Sequence, residues 1–349
     1  MRKKTRKIKV GSVFIGGGEP ISVQSMTTTR TENIEETVSQ IERLKAAGCD
    51  IVRLAVPNME AANAFYEIKK RTGMPLVADI HFDYRLAVRA AERGADKIRI
   101  NPGNIGGEDR LRAIVDACRE RSIPIRVGVN GGSLEKRLLD KYGGLKPEAM
   151  VESALGQIDK LEKLGFGDIC VSLKASSVPL TVAAYRLLSE KVDYPLHIGV
   201  TEAGTEYMGI IKSACGIGAL LLEGIGDTIR VSLTAEPEAE VRAGIAILKA
   251  LGLRRGGVQI ISCPTCGRTE IDLISLAGEV ESRLGSLPRD ITVAVMGCVV
   301  NGPGEASHAD YGIAGGRDKG AIFRRGEIVK TVPADRLADE LCKLIEKDN

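Results

Sequence analysis

Eight short apolar runs, alternating in how they begin, limit what this chain can fold into. Four open with proline: Pro20-Ile21-Ser22-Val23-Gln24, Pro75-Leu76-Val77-Ala78-Asp79, Pro124-Ile125-Arg126-Val127-Gly128 and Pro195-Leu196-His197-Ile198-Gly199. Four open with aspartate, close behind glycine: Asp50-Ile51-Val52-Arg53, Asp96-Lys97-Ile98-Arg99, Asp168-Ile169-Cys170-Val171 and Asp227-Thr228-Ile229-Arg230. The two types alternate strictly, and runs of this length and composition bounded by turn residues predict strands. Between them, segments such as Ile34 to Ala47, Tyr84 to Arg93, Gly107 to Arg121 and Pro147 to Leu164 carry apolar residues three and four apart and predict helices. Eight strands with intervening helices predict an α/β fold, a (β/α)8 TIM barrel whose alternate strands fill separate interior layers. The barrel is expected over residues 1–252, and a smaller α+β domain over 253–349.

A barrel interior is ordinarily aliphatic, so polar residues in the inward register mark chemistry. Steps of two from each proline give Gln24, then Asp79 and His81, then Arg126 and Asn130, then His197 and Thr201. Three and five from each aspartate lie Arg53, then Arg99 and Asn101, then Arg230 and Ser232. The sixth strand breaks step, placing Ser172 and Lys174 on even offsets, so a bulge or register change is expected there. Four arginines and a lysine at one barrel mouth repel each other unless an anion sits among them, and a phosphorylated small molecule is the natural anion. Structural ion pairing with Asp79 and Glu202 accounts for one or two of these cations and not five.

Beyond the barrel, Cys263-Pro264-Thr265-Cys266 follows the apolar run Val258 to Ser262, and Cys298 follows a second run, Ile291 to Gly297. Adjacent strand ends would bring the thiols together, and the turn Asn301-Gly302-Pro303-Gly304 can fold Glu305 back toward them. The spacing suits a structural zinc, with His308 as a further ligand, and equally an iron–sulfur cubane lacking its fourth cysteine. Glu305 favours the cluster, because a hard, displaceable oxygen ligand beside thiolates suits an iron that must exchange its ligand. The remaining cysteines, Cys49, Cys118, Cys170, Cys215 and Cys342, are scattered singly and are expected to be small core residues.

Eight cysteines in 349 residues make no secreted-type framework, and no apolar stretch is long enough for a signal core or a membrane span. A cytoplasmic protein without a membrane partner is expected. A net charge of +3 is too small to imply nucleic acid. The basic start, Arg2-Lys3-Lys4 with Arg6, Lys7 and Lys9, lacks interleaved aromatics and is expected to be a solvated edge.

Several motifs, in order and without large gaps from about Lys4 to Glu305, carry a family resemblance. They are Gly16-Gly17-Gly18 with Pro20 to Met26, Asp79-Ile-His-Phe82, Arg99-Ile-Asn-Pro-Gly-Asn104, Arg126-Val-Gly-Val-Asn130, Cys263-Pro-Thr-Cys-Gly267 and Gly297-Cys-Val-Val-Asn-Gly-Pro-Gly-Glu305. The chain resembles the 4-hydroxy-3-methylbut-2-enyl diphosphate synthases of the methylerythritol phosphate route to isoprenoids, in their compact form without an inserted middle domain. The resemblance implies an iron–sulfur oxidoreductase. It would reductively open and dehydroxylate 2-C-methyl-D-erythritol 2,4-cyclodiphosphate with two electrons from reduced ferredoxin or flavodoxin, through a [4Fe-4S] cluster. It implies Cys263, Cys266, Cys298 and Glu305 as cluster ligands, Glu305 leaving its iron when substrate oxygen arrives. It implies substrate contacts from Arg53, Asp79, His81, Arg99, Asn101, Arg126, Asn130, Lys174, Thr201, Glu202, Arg230 and Ser232. Glu202 is the candidate proton donor, and His81, held by Asp79, competes for that role. Barrels with similar strand-end residues also build dihydropteroate synthases, and such a transferase bearing a zinc domain is the alternative, with a zinc-ribbon binding module as a third class.

Topology adds an expectation about assembly. The mouth of a (β/α)8 barrel lies at the strands' C-terminal ends, so the last helix, roughly Pro237 to Leu251, delivers the chain to the opposite face. Gly252 to Gly257 are about six residues and extend little over 20 Å, too short to climb back along a barrel of that height. A head-to-tail homodimer is expected, the cluster domain of one chain closing the barrel of the other, which is also the arrangement the resemblance implies.

Overall fold

A computed structural model describes residues 2–285, 287–298 and 308–348, and the chain divides into two compact units, Met1–Arg254 and Arg255–Asn349. In the first, strands β3 (Ser22–Met26), β4 (Ile51–Ala55), β5 (Leu76–Asp79), β6 (Lys97–Ile100), β7 (Ile125–Asn130), β8 (Ile169–Lys174), β9 (His197–Ile198) and β10 (Thr228–Ile229) form a parallel sheet. The sheet closes on itself where Val171 bridges to Leu196 beside β9, its N–H donating to the Pro195 carbonyl at 2.9 Å. The fold is the TIM barrel expected.

The alternation of proline and aspartate has a local cause. Proline supplies a carbonyl but no N–H, so it can start a strand but not sit inside one, and the Pro75 and Pro124 carbonyls accept from Val52 and Ile98 of the neighbouring strands. Three of the four aspartate carboxylates, in turn, accept an N–H near the start of the adjacent proline-type strand. Asp50 takes Val23 at 2.8 Å, Asp96 takes Leu76 at 2.8 Å and Asp227 takes Leu196 at 3.0 Å. Asp168 differs. Its side chain is exposed, and its backbone carbonyl takes the Ile125 N–H at 2.9 Å. Substituting carbonyl for carboxylate moves the strand by one residue, which is why Ser172 and Lys174 fall on even offsets. The bulge expected there is absent, since β7 and β8 pair without a break from Ile125 with Ile169 to Asn130 with Lys174.

Helices α1 (Ile34–Ala46), α2 (Met59–Thr72), α3 (Tyr84–Glu92), α4 (Glu108–Glu120), α5 (Lys136–Tyr142), α6 (Pro147–Lys163), α7 (Val178–Ser189), α8 (Glu206–Leu222) and α9 (Pro237–Ala250) lie between and after the strands. Outward strand residues such as Val52, Leu54, Ile98 and Val127 are fully buried in the main apolar core, with α-helical residues such as Ile41, Phe65 and Ile114. A hairpin, β1 (Ile8–Val10) with β2 (Val13–Ile15), closes the N-terminal end, packing Ile8, Val10 and Ile15 on Ile51, Val77 and Cys170. The basic start is therefore more than a solvated edge. Arg2 Nη2 lies 3.0 Å from Asp227 Oδ1, and Thr5 donates to the same oxygen at 3.0 Å, tying the start to the barrel floor.

The second unit is α+β. Strands β11 (Val258–Ser262), β12 (Ile291–Met296), β13 (Tyr311–Ala314), β14 (Lys319–Arg324) and β15 (Glu327–Pro333) lie in that order. The first three are parallel, and β13 to β15 antiparallel. Helix α10 (Leu273–Leu284) and the helix Leu337–Lys347 share a core with the sheet through Leu273, Val280, Val293, Ile313, Leu341 and Ile345. Cys49, Cys118, Cys170 and Cys342 are buried as expected, whereas Cys215 is exposed on α8. Among the described residues no helix is long and apolar enough to cross a membrane.

Candidate active site

At the C-terminal ends of the barrel strands, register sets the cations side by side. Asp79 pairs with Arg99, and Arg99 with Arg126, so all three face inward on neighbouring strands. The buried Asp79 carboxylate lies 3.1 Å from Arg99 Nη1, 3.4 Å from His81 Nε2 and 3.8 Å from Arg53 Nε. Burial alone would raise its pKa, but Arg53, the His81 hydrogen bond, Arg99 and Arg126 outweigh that and hold it far below the usual carboxylate range. Arg53 also donates from Nε and Nη2 to the Met26 sulfur at 3.0 and 2.8 Å, a weak acceptor that steers the guanidinium without neutralising it.

Arg53, Lys97, Arg99, Arg126, Lys174 and Arg230 all enter the barrel, and the carboxylates set among them are Asp79 and Glu240. Burial, and then Arg126, Arg230 and Arg53, push the Lys174 ammonium well below its ordinary pKa. Burial, and then Arg99, lower Arg126 to about 10. Lys174 lies over β9 at a point where any side chain would intrude: a Cβ on Gly199 would stand 3.0 Å from Lys174 Nζ and 2.3 Å from the Arg230 carbonyl. Such a concentration of positive charge at one mouth suits a polyanionic ligand.

Three of the other expected residues share one cavity. Asn130, Thr201 and Glu202 line a common cavity of about 450 Å³ with Ser133 and Ser176. Glu202 is exposed and left-handed at φ 52°, an unusual conformation for a side chain of its size. Arg230 and Ser232 follow β10 and are half-buried. Asn101 lies just past β6, its Oδ1 accepting the Gly103 N–H at 3.0 Å, so it shapes a turn as well as facing the mouth. His81 lies past the end of β5 and is exposed at the rim, with its Nε2 still 3.4 Å from the inward Asp79 carboxylate.

In the second unit, Cys263 directly follows β11 and Cys298 lies two residues past β12, its parallel neighbour. The Gly297 N–H points at Cys263 Sγ, 3.3 Å away. A Cβ on Gly297 would strike Thr269 at 2.9 Å, so the backbone is free to approach the sulfur only as glycine. Cys266 is exposed, in a turn held by Thr269, whose hydroxyl accepts the Cys266 N–H at 3.2 Å. Cys298 is buried, and His308 is exposed. Glu305 and its turn, Asn301 to Gly304, lie outside the described residues. Among the described residues no three His, Cys, Asp or Glu side chains are drawn together tightly enough to hold a metal ion. The donor set itself, thiols from two adjacent strand ends and one turn with a backbone donor aimed at sulfur, fits an iron–sulfur cluster.

Comparison with known proteins matches residues 5–245 to the GcpE TIM-barrel domain and 259–347 to the GcpE protein C-terminal domain. The chain belongs to the GcpE family. It is 63% identical over 347 residues, 99% of this chain and 98% of the relative, to a protein of Caldanaerobacter subterraneus subsp. tengcongensis named 4-hydroxy-3-methylbut-2-en-1-yl diphosphate synthase (flavodoxin). It is 59% identical, over 99% of this chain and 98% of the relative, to a protein of the same name from Ruminiclostridium cellulolyticum. As a GcpE protein it is an enzyme, an oxidoreductase. Among solved structures, a type I 3-dehydroquinate dehydratase from Clostridium difficile aligns with TM-score 0.52 at 17% identity, over 71% of this chain and 98% of that one. A dihydropteroate synthase from Stenotrophomonas maltophilia aligns with TM-score 0.52 at 14% identity, over 71% and 97%. These two share the barrel fold alone.

This GcpE barrel also uses residues that the strand pattern does not single out. Glu240, buried on α9, accepts Arg230 Nε and Nη2 at 3.3 Å each, Ser25 Oγ at 2.9 Å and the Leu233 N–H at 3.1 Å. Two acids in the first turn of a helix ordinarily signal dipole compensation, which hides that Glu240 turns inward. Lys97 is fully buried two residues before Arg99 on β6. Its signal was available, since it shares the inward step of Arg99.

Proposed function

We propose that the protein catalyses the reductive ring opening and dehydroxylation of 2-C-methyl-D-erythritol 2,4-cyclodiphosphate to (E)-4-hydroxy-3-methylbut-2-enyl diphosphate, with a [4Fe-4S] cluster on Cys263, Cys266, Cys298 and Glu305. The observation that carries this reading is the pairing, within one GcpE chain, of cysteines after two adjacent parallel strands and in the turn between them with a barrel mouth whose cations outnumber its carboxylates. When bound, the cluster would supply single electrons, accepted from a small carrier protein and passed to the substrate. The relatives' names point to flavodoxin as that carrier.

The reaction consumes two electrons and one proton. The ester bond between a ring carbon and the diphosphate breaks, a hydroxyl leaves as water, and a carbon–carbon double bond forms. Arg99, Arg126, Lys174 and Arg230 neutralise the diphosphate oxygens, both holding the substrate and stabilising charge as the ester bond breaks. Asp79 fixes Arg53 and Arg99 from behind. Asn101, Asn130, Thr201 and Ser232 contact the polyol and phosphate edges. Glu202, in the cavity it shares with Asn130 and Thr201, delivers the proton to the departing hydroxyl, with His81 as the competing donor. The short link after α9 supports a head-to-tail homodimer in which a partner's cluster domain completes each site.

Oxygen-free purification followed by metal and turnover assays tests this. The expected result is brown protein with about four iron and four sulfide per chain, converting the cyclodiphosphate with reduced flavodoxin. Colourless protein containing zinc, or iron-loaded protein inert toward that substrate, would overturn it.

A further inference from the structure

Between the cationic mouth and the apolar floor made by the β1–β2 hairpin, the barrel contains a polar layer that the proposed reaction touches only through Arg126. Ser22, Thr228 and His197 stand in register on β3, β10 and β9. Gln24, Lys97 and Arg126 enter from β3, β6 and β7. All six are buried: Ser22 is 3% exposed, Arg126 2%, Gln24 1%, and Lys97, His197 and Thr228 0%. Nine of their side-chain polar atoms find no partner among the described residues. The orphans are Ser22 Oγ, both amide atoms of Gln24, Lys97 Nζ, Arg126 Nε and Nη2, both ring nitrogens of His197 and Thr228 Oγ1. Isolated orphans are uncommon in native interiors, and so many in one closed layer imply something bound among them.

The chemistry of the lining says what. Lysine and arginine are donors without any acceptor, and the hydroxyls, one imidazole nitrogen and the Gln24 amide nitrogen can donate as well. Compensating negative charge is missing among the described residues. Asp79 is taken by Arg99, His81 and Arg53, and Glu240 by Arg230 and Ser25. Cys170, which faces Lys97, stays a thiol because burial raises its pKa. Burial, with Lys174, Arg126, Lys97 and Arg53, drives His197 well below its usual value and keeps it neutral. Arg126 cannot shed its proton near neutrality, and even with burial lowering it to about 8, Lys97 remains largely charged there. Water would satisfy the donors but leave two enclosed charges unbalanced, which is costly at low dielectric.

We propose that this layer binds a small monovalent inorganic anion of halide type, held by Lys97 and Arg126 and ringed by His197, Gln24, Ser22 and Thr228. The anion forms a structural floor beneath the mouth and stays in place whether or not the mouth is filled. It would answer the two Arg126 donors left over, since Nη1 is bonded to Ser172 at 3.1 Å while Nε and Nη2 are buried without a partner among the described residues.

The test uses the whole protein prepared and crystallised with bromide as its sole halide, with diffraction recorded at the bromine absorption edge. The expected result is an anomalous peak within hydrogen-bond distance of Lys97 Nζ and the Arg126 guanidinium. Density for water alone there, or bromide at the mouth and none in the layer, overturns the proposal. In solution, the unfolding midpoint of the wild type should rise when bromide replaces gluconate at constant ionic strength. In Lys97→Met, most of that rise should be lost. An equal rise in both proteins overturns the proposal, and because the crystallographic arm needs only the wild type, it decides the matter even if the variant does not fold.

Discussion

The Glu240 carboxylate on α9 grips the Arg230 guanidinium just past β10, with both nitrogen–oxygen distances 3.3 Å, so a helix outside the barrel sets the aim of a cation inside it. Glu240→Ala would leave Arg230 without its counter-charge and Ser25 and the Leu233 N–H without an acceptor. A loss of about 3–5 kcal/mol in chemical unfolding is expected. Glu240→Gln keeps the shape but not the charge. It should fold and raise KM for the cyclodiphosphate by roughly tenfold, about the value of one charge-assisted hydrogen bond, with kcat changed less. An unchanged KM would show that Arg230 does not meet the substrate.

Asp79 links stability to pH. Its folded-state carboxyl is held below the unfolded value of about 3.9, so its contribution is fully present above that value. The contribution falls away as pH drops below about 4 toward the folded value. Asp79→Asn should therefore be destabilised near pH 7 by about 3–5 kcal/mol. The gap to wild type should narrow steadily in denaturant titrations taken down to pH 3. A constant gap across that range would mean that the carboxylate's charge is not what stabilises the ring of Arg53, Arg99 and His81.

Gly199 exists to let two chains of atoms pass. Gly199→Ala would put a methyl 2.3 Å from the Arg230 carbonyl and 3.0 Å from Lys174 Nζ. Backbone cannot yield as a side chain does, so a cost of about 1–3 kcal/mol is expected, together with weaker binding of the diphosphate. Chemical unfolding and equilibrium binding read the two effects separately. Wild-type values in both would show that the β9 and β10 backbones relax freely.

The barrel was legible because its strand starts obey a hydrogen-bond rule that leaves a trace in sequence. Proline marks strands that begin with a carbonyl, and Asp50, Asp96 and Asp227 mark strands whose first carboxylate caps a neighbour. Asp168 carries the same letter without that role, and only coordinates distinguish carboxylate from carbonyl. Arg53, Asp79, Arg99, Arg126 and Lys174 lie within strands, where steps of two hold. His81 lies beyond the end of β5, where strand register no longer fixes it and contact with Asp79 does instead. Glu240 was hidden because it belongs to a helix whose acidic first turn has an ordinary explanation. The cysteines stand out by spacing, whereas β13 to β15 carry none of the expected site residues and leave no comparable mark in the sequence.

Glu202 offers a direct test of proton delivery. Its left-handed backbone at φ 52° places an exposed carboxyl in the cavity with Asn130 and Thr201. Glu202→Gln should retain the visible absorption of loaded protein and bind the cyclodiphosphate, yet turn over 10²-fold or more slowly, in the range of about 10²–10⁴ that general acids contribute. If that variant keeps full activity while His81→Asn loses it, the proton comes from His81.

The assembly prediction separates the two halves of the site onto different chains. Cys263→Ser should abolish iron and sulfide binding and leave the barrel intact, and Lys174→Ala should spare the metal site and lose substrate binding. Each is inactive as a homodimer. In a head-to-tail dimer, however, one kind of heterodimer site combines an intact barrel from the first variant with an intact cluster domain from the second. Random exchange of subunits makes half of all dimers mixed, and one of the two sites in each is whole. Mixing the variants in equal amounts under oxygen-free conditions should therefore restore about a quarter of wild-type activity, the arithmetic that two-fold symmetry imposes. Restoration must also grow on the timescale of subunit exchange. No recovery after exchange has been shown by mass spectrometry would place barrel and cluster domain of the same chain in one site, and the short link after α9 would then have to be long enough after all.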